Sequence, residues 1–207
     1  MNLKGEIMNN EAEQILSYLN KNKTKNAEQL IKFIKSVGDL YSRNNEDGHI
    51  TASAFIVSDD KKHVLLIEHA KYNMWLSPGG HVDAGENSLK AAIRETAEET
   101  GVKNIELLKK DILDIDIHRI PHSEKKGEPE HWHFDIRYLF KAPKDLVINL
   151  NSDAKGDING VSVNKQECNG YKWYSLDDMK HHNDQSLKRQ AEKVSDFLSS
   201  KKIKLKI

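Results

Sequence analysis

The sequence lacks the features that mark secreted or membrane-anchored proteins. Cys168 is its single cysteine, so no disulfide can form within the chain. No apolar run approaches the length of a membrane span, and residues 1–10 are polar where a signal peptide would need a hydrophobic segment. We therefore expect a soluble protein of the cytoplasm, whose reducing conditions suit a lone thiol.

An excess of charge of one sign is also missing. Lys and Arg together number 32, as do Asp and Glu, so the formal net charge is zero. Such a chain has no overall basic field to attract nucleic acid or an anionic membrane, and we expect neither as a partner. A polyanionic small molecule would need a local positive site, made by metal ions or by a few Lys and Arg side chains.

The 207 residues suit one domain with a small appendage. Residues 1–46 are predicted to be a helical extension, with two helices inside 10–45 that the polar stretch Asn20–Asn26 separates. The second helix would carry an apolar stripe formed by Leu30, Ile34, Val37 and Tyr41. These helices could cover one side of the core, mediate a homodimer or act as a lid. Residues 47–207 would form the main domain.

The main domain mixes short strands with helices, which predicts an α/β (α+β) fold. Helices are predicted at Asn87–Thr100, which Gly101 would end, and at Asp184–Ser199. Short apolar runs or strict alternation predict four of the strands, at 52–57, 63–67, 112–120 and 131–138.

Three carboxylates crowd one side of the first of these helices. Glu95, Glu98 and Glu99 are spaced i, i+3 and i+4, and like charges this close repel one another. A divalent cation would remove that cost, and carboxylate oxygens suit hard cations such as Mg²⁺ or Mn²⁺. Gly79 and Gly80 permit a tight turn whose carbonyls can approach a metal closely. The glutamates alone leave open a simpler interpretation, a solvated acidic face.

The stretch Gly80–Val102 resembles the Nudix box, G-x5-E-x7-R-E-U-x-E-E-x-G-U, in which U is a bulky aliphatic residue. The charged residues and glycines stand in register: Gly80, Glu86, Arg94, Glu95, Glu98, Glu99 and Gly101. One position departs, because Thr96 stands where an aliphatic residue is usual. We expect Thr96 to join Leu89, Ala92 and Ile93 on the face that packs on the sheet, with its methyl buried and its hydroxyl bonded to the preceding turn.

The resemblance implies a fold and a division of roles. The Nudix fold is a mixed β-sheet sandwiched between helices, and a bacterial branch of the family also carries an N-terminal helical extension. Glu86 would pair with Arg94 and hold the loop against the helix. Glu167, six residues before Trp173, falls where some members have an additional catalytic or metal-binding glutamate. The metal ligands would be the Gly79 carbonyl and the carboxylates of Glu95, Glu98 and Glu99.

Further side chains are candidates for substrate binding. His131 and His133 share one face of a predicted strand with Asp135 and Arg137. Two interpretations stay open for the nearby group His118, His122, His131 and His133: it lines the substrate pocket, or it binds a transition metal. Trp75 could stack on a base or be a core aromatic.

These residues predict a metal-dependent hydrolase that uses water to cut a pyrophosphate bond. Its substrate would be a small nucleotide-like molecule, either linked to a nucleoside diphosphate or a nucleoside triphosphate. The alternative is a catalytically idle Nudix domain that senses a nucleotide or binds a partner, although such domains usually lose a box glutamate and this one keeps them all. Isoprenoid diphosphate isomerisation looks for a cysteine in the pocket, and Cys168 is predicted in a loop far along the chain.

Overall fold

The chain folds as a mixed β-sheet with helices on both faces, as a computed structural model describes for residues 3–70, 73–124, 127–144 and 168–204. The helices are α1 (Leu3–Lys21), α2 (Ala27–Ser36), α3 (Ser88–Thr100), α4 (Leu176–Met179) and α5 (Gln185–Lys204). The strands are β1 (Gly48–Ser58), β2 (His63–His69), β3 (Met74–Leu76), β4 (Gly79–His81), β5 (Glu106–Leu107), β6 (Asp114–Ile120), β7 (His131–Ala142) and β8 (Cys168–Ser175). The predicted class and the N-terminal helices are confirmed.

Strand β1 is the centre of the sheet. It runs parallel to β7 and antiparallel to β2 and β4. Strands β5 and β6 pair antiparallel with β7, while β3 and β8 pair antiparallel with β2. The glycines of β4 therefore lie beside the middle of β1, with Gly79 opposite Ser53 and Gly80 opposite Ala52.

Side chains of β1 alternate between two core layers. Ile50, Ala52 and Ala54 pack in a layer that includes residues of α1, α2 and α3. Phe55 and Val57 point the other way and pack in a second layer with α4 and α5. This alternation follows from the two-residue period of a strand, and it explains why helices cover both faces.

The two N-terminal helices belong to the main core. Ile15 of α1 and Leu30 and Phe33 of α2 are buried in the same layer as the central strands. The ring of Phe33 stacks on that of Phe134, with centroids 4.8 Å apart. This packing supports the first of the three predicted roles, covering one side of the core. The boundary at residue 46 stays a prediction.

The prediction of helix as far as residue 45 is wrong. Helix α2 ends at Ser36, and Val37 takes an extended backbone with φ −112° and ψ 149°. A β-branched residue followed by Gly38 disfavours continuing the helix. Tyr41 therefore lies outside the helical stripe, and its buried hydroxyl donates to the carboxylate of Glu11.

The ends of α3 follow the sequence closely. Asn87 precedes the helix in an extended conformation, and its side chain accepts a hydrogen bond from the N–H of Lys90 at 3.0 Å. Gly101 ends the helix with φ 72°, and its N–H donates to the carbonyl of Ala97. The predicted stop at Gly101 is confirmed, and the helix begins one residue after the predicted start at Asn87.

The buried face of α3 differs in part from the prediction. Thr96 is fully buried and donates to the carbonyl of Ala92 at 2.7 Å, as expected. Ile93, however, is 39% exposed, so its predicted packing on the sheet is wrong. The helix is turned so that Ala91 and Glu99 face inward instead. One acidic residue of the motif therefore lies on the core side.

Cys168 lies in β8, where it pairs with His69, and not in a loop as predicted. Burial raises the pKa of its thiol, and the negative charges of Glu99 and Glu68 raise it further, while a hydrogen bond to Gly170 opposes them. The group therefore stays protonated at neutral pH. Among the described helices, none is long and apolar enough to cross a membrane.

Candidate active site

The segment between β3 and β4, which we call the glycine bend, comprises a bend at Pro78 and the first two residues of β4, Gly79 and Gly80, and it is tied directly to α3. The tight turn predicted at Gly79 and Gly80 themselves is wrong, because both residues belong to strand β4. The backbone N–H of Gly79 donates to Oε2 of Glu99 at 2.8 Å, and Glu99 is only 2% exposed. A Cβ at position 79 would lie 2.4 Å from both the carbonyl oxygen of Ala52 and the Cβ of Ser53. Glycine is required here because the bend packs against β1 more closely than any side chain allows.

The second glycine of the bend makes room for a carboxylate. A Cβ at position 80 would lie 2.5 Å from Oε1 of Glu95 and 2.7 Å from its Cδ. The side chain of Glu95 therefore occupies the space that the missing Cβ leaves. Gly79 and Gly80 each face one glutamate of α3 in this way, so the bend and the acidic side of the helix form one unit.

Arg94 is the cation around which the acidic groups gather. Its Nη2 donates to Oε1 of Glu86 at 2.7 Å and to the carbonyl of His81 at 2.8 Å. Its Nη1 donates to Oε1 of Glu95 at 3.0 Å and to Oε2 of Glu98 at 2.9 Å. Burial lowers the pKa of Arg94, but the hydrogen bond with Glu86 and the charge of Glu95 outweigh this and raise it. The guanidinium is charged at every accessible pH.

Glu86 joins the loop before α3 to the helix. Besides its bonds to Arg94, its Oε1 accepts from the backbone N–H of Asp83 at 2.8 Å. The pairing of Glu86 with Arg94, which the motif implied, is thus present. A bidentate guanidinium fixes direction as well as distance, so the loop is held in one orientation.

The three glutamates considered as metal ligands differ in their surroundings. The side chain of Glu98 is 43% exposed, whereas Glu99 is buried. Within the described residues these three carboxylates do not form a group with all ligand atoms within 4.8 Å of one another. The reason is that Arg94 binds Glu95 and Glu98 while Gly79 binds Glu99. The donor set, carboxylate oxygens beside a bend without side chains, fits a hard divalent cation.

Asp135 and Arg137, predicted to bind substrate, lie in a buried polar network. The carboxylate of Asp135 accepts from Oγ of Ser53 and from Nε of Arg137, each at 2.7 Å. Arg137 also approaches Asp114 and Asp116, at 3.6 and 3.5 Å. Both predicted residues are engaged inside the protein, and their role toward a substrate stays a prediction.

Sequence reasoning missed the partners that α5 adds to this network. Asp114 accepts from Nη2 of Arg189 at 2.8 Å and from Nζ of Lys193 at 2.6 Å. Burial would raise the pKa of Asp114, but the hydrogen bond from Arg189 and the charge of Arg137 hold it below its ordinary value. The alternation at 114–118 indicated an acidic strand face, but nothing in it indicated which helix would cover that face.

Histidines from four strands come together on the same side of the sheet. The ring of His49 lies 4.8 Å from that of His133 and 5.1 Å from that of His131, between centroids. Ring contacts join five histidines: His49, His81, His118, His131 and His133. The structure changes the predicted group in two ways. His122 is exposed in the segment after β6 and does not join it, whereas His49 and His81, which the sequence did not indicate, do.

Trp75 and Glu167 are the remaining predicted site residues. Trp75 on β3 is partly buried against the core layer of α5, and its ring meets that of Tyr174 edge-on at 5.5 Å. This contact leaves base stacking by Trp75 a prediction. Glu167 lies outside the described residues, so its role also stays a prediction.

Comparison with known proteins shows which family the chain belongs to. A family model described as the NUDIX domain matches residues 48–195. The chain belongs to the Nudix family. The match begins at β1, so α1 and α2 precede the part of this Nudix protein that the family model covers.

Sequence relatives of this Nudix protein carry the names of pyrophosphate-cleaving enzymes. It is 38% identical over 120 residues to a probable DHNTP pyrophosphohydrolase of Lactococcus lactis, which covers 56% of this chain and 70% of that protein. It is 31% identical over 104 residues to the asymmetrical bis(5'-nucleosyl)-tetraphosphatase of Rattus norvegicus, which covers 50% of this chain and 57% of that protein.

Solved structures show the same fold. An Ap4A hydrolase complex from C. elegans matches with a TM-score of 0.50 and 25% identity, over 73% of this chain and 98% of that one. The E. coli dihydroneopterin triphosphate pyrophosphohydrolase matches with a TM-score of 0.50 and 19% identity, over 73% and 95%. The Nudix protein described here is accordingly a hydrolase of pyrophosphate bonds, and the idle-domain alternative gains no support.

Proposed function

We propose that this Nudix hydrolase requires a divalent cation, Mg²⁺ or Mn²⁺, and cleaves a small nucleotide-like polyphosphate. The observation that carries the proposal is the contact of the glycine bend with the acidic side of α3. Glu95 fills the space beside Gly80, and Glu99 is bonded to Gly79, so donor groups of the bend and of the helix lie side by side.

The cation would be held by the carboxylates of Glu95, Glu98 and Glu99 and by the carbonyl of Gly79. All four donors are oxygens, the ligand type that Mg²⁺ and Mn²⁺ prefer. When bound, such a cation neutralises phosphate charge and lowers the pKa of a coordinated water. Arg94 balances only part of the negative charge, because its single positive charge is shared among Glu86, Glu95 and Glu98.

The chain's own residues would then position the reaction. Glu86 and Arg94 hold the loop before α3 in place. Glu98 has the most exposed carboxylate of the three glutamates, and we assign to it the orientation or deprotonation of the attacking water. Attack at phosphorus depends mainly on positioning and charge stabilisation, so small displacements of these groups should be costly.

The substrate proposal draws on the names of the relatives. One is named for dihydroneopterin triphosphate and another for a bis(5'-nucleosyl) tetraphosphate. Both molecules join a flat heteroaromatic ring to a chain of phosphates. We propose a substrate of this kind, with Trp75 stacking on the ring and with His131, His133, Asp135 and Arg137 as its polar contacts.

A substrate panel tests this proposal. Dihydroneopterin triphosphate, diadenosine tetraphosphate, ADP-ribose and dGTP would each be incubated with the full chain and Mg²⁺, Mn²⁺ or a chelator. We expect hydrolysis of at least one compound, dependent on the cation, and products separated by chromatography identify the bond that breaks.

The panel includes two matched variants. Glu98→Gln keeps the size of the side chain and removes its charge, and we expect activity to fall by about 100-fold or more. Glu192→Gln makes the same change at an exposed position on α5 and should leave activity unchanged. Full activity of Glu98→Gln, or equal turnover in chelator, would refute the proposal.

A further inference from the structure

A second group of ligand side chains lies on the sheet itself. His49 on β1 stands directly opposite His133 on the parallel strand β7, and His131 is two residues away on the same face. One nitrogen from each of these three rings can be chosen so that all lie within 4.8 Å of one another. Among the described residues, no other group of three or more His, Cys, Asp or Glu side chains meets that spacing.

His49 has a polar side chain that the protein leaves unsatisfied. The residue is 3% exposed, and neither Nδ1 nor Nε2 has a hydrogen-bond partner among the described residues. A buried polar group without a partner costs free energy, and most such groups in proteins are satisfied. The described part of the chain therefore leaves both nitrogens of this buried ring without a partner, and a ligand could supply one.

Hydrogen bonds to acceptor oxygens indicate the tautomers of two neighbouring rings, His131 and His118. Nδ1 of His131 lies 2.8 Å from the carbonyl oxygen of Pro129, which can only accept, so Nδ1 carries the hydrogen and Nε2 keeps its lone pair. Nδ1 of His118 lies 3.0 Å from Oδ2 of Asp116, an arrangement of the same type. A carbonyl or carboxylate on the far nitrogen is the usual support of a metal-binding histidine.

We propose that His49, His131 and His133 bind a transition-metal cation of the zinc class, at a site separate from the glutamates of α3. Three imidazoles suit Zn²⁺, Co²⁺ or Ni²⁺, whereas the carboxylates of α3 suit Mg²⁺ or Mn²⁺. Tetrahedral zinc with bonds of about 2.0–2.1 Å needs ligand nitrogens roughly 3.4 Å apart, so binding would draw together nitrogens that now lie within 4.8 Å of one another. His81 and His118, whose rings lie 5.5 and 5.8 Å from His133, flank the site.

Metal ligation requires the uncharged form of histidine. Burial lowers the pKa of His49 to about 4, and the charge of His131 adds to the effect. Burial likewise lowers the pKa of His133 to about 2, together with the charges of His49 and His81.

Such an ion would link β1 to β7. The two strands are parallel neighbours at the centre of the sheet, and His81 of β4 follows Gly80 directly. The site is thus next to the bend but uses a different ligand type. Its occupancy can be measured without any assay of hydrolysis.

Direct metal binding tests the proposal. The purified full chain would be stripped with a chelator and titrated with ZnCl₂ or CoCl₂ in excess Mg²⁺, which occupies oxygen sites. We expect about one Zn²⁺ per chain and a visible Co²⁺ spectrum of the tetrahedral nitrogen-ligated type. His133→Ala should weaken binding by about tenfold or more, since it removes one of three ligands.

Two further variants complete the test. His49→Ala should also lose binding, and His133→Ala covers the case in which the buried change at position 49 prevents folding. His122→Ala is the matched control, an exposed histidine of the turn after β6, and should bind Zn²⁺ like the wild type. Unchanged binding by His133→Ala, or binding that excess Mg²⁺ abolishes, would overturn the proposal.

Discussion

Gly80 shows how one residue without a side chain shapes the site. The carboxylate of Glu95 lies where a Cβ of residue 80 would be, only 2.5 Å from that position. The carboxylate is the end of a flexible side chain, so a methyl group at position 80 would move it rather than break the fold. The requirement for glycine is therefore a requirement of the site more than of folding.

Gly80→Ala should lower kcat far more than it lowers stability. A displacement of Glu95 by about an ångström should reduce kcat on the order of 100-fold, while the unfolding midpoint in urea changes little. Gly38→Ala is the control, because a Cβ there meets nothing within 4 Å. Retention of full activity by Gly80→Ala would show that the position of Glu95 does not matter.

The surroundings of Thr96, the single departure from the family motif, could be predicted from its own side chain. Thr96 is buried and bonded to the carbonyl of Ala92, as its size and hydroxyl suggested. Ile93 could not be placed in the same way. Its burial depends on how α3 is rotated against the sheet, and the contacts of Glu99 with the bend decide that rotation. Those contacts are distant in sequence.

At the scale of elements, ion pairs hold α5 against β6. Asp114 on β6 is buried and binds Arg189 and Lys193 of α5. The amphipathic pattern of α5 predicted a helix, but it did not predict which strand the cationic residues would meet. Breaking a buried ion pair from one side is strongly destabilising because the remaining charge is left without its partner.

Asp114→Asn should destabilise the protein by about 3 kcal/mol at pH 7. The folded-state pKa of Asp114 is held below its ordinary value of 3.8, so its stabilisation is present above about pH 4 and is lost as the pH falls further. The difference from wild type should therefore be constant between pH 5 and 8 and should shrink below pH 4.

Urea denaturation across this pH range provides the measurement. Asp177→Asn is the control, because that carboxylate is exposed and its pair with Lys180 should contribute little to stability. A penalty for Asp114→Asn that grows below pH 4 would show that the ion pair does not stabilise the junction in the way described.

At the scale of the whole molecule, the N-terminal helices and the Nudix domain share one core. Phe33 of α2 stacks on Phe134 of β7, and the carboxylate of Glu11 on α1 accepts from the N–H of Ser88, the first residue of α3, at 3.3 Å. The extension therefore supports the start of the helix that carries the glutamates.

Phe33→Ala should lower the free energy of unfolding by about 3–5 kcal/mol, the usual cost of emptying a buried aromatic site. Lys32→Ala, an exposed neighbour on α2, should have little effect. Chemical denaturation followed by circular dichroism measures both. A loss below 1 kcal/mol in Phe33→Ala would mean that the extension is dispensable for the stability of the main domain.

Features that depend on residues close together in sequence could be predicted, whereas features that depend on long-range contacts could not. The C-terminal end of α3 follows from Gly101, its neighbour in sequence, and the structure contains it. The resemblance to the Nudix box implied the Glu86–Arg94 pair, which is also present. The grouping of His49 and His81 with His131 could not be predicted, because only the register of β4, β1 and β7 brings these residues together.

Binding of Mn²⁺ in the absence of substrate tests the central claim most directly, because Mn²⁺ prefers oxygen ligands and its free form is visible by electron paramagnetic resonance. The wild type and Glu192→Gln should bind Mn²⁺ equally, and Glu98→Gln should bind it at least about tenfold more weakly. Equal affinity in Glu98→Gln and the wild type would contradict the account of the acidic side of α3 as a cation site.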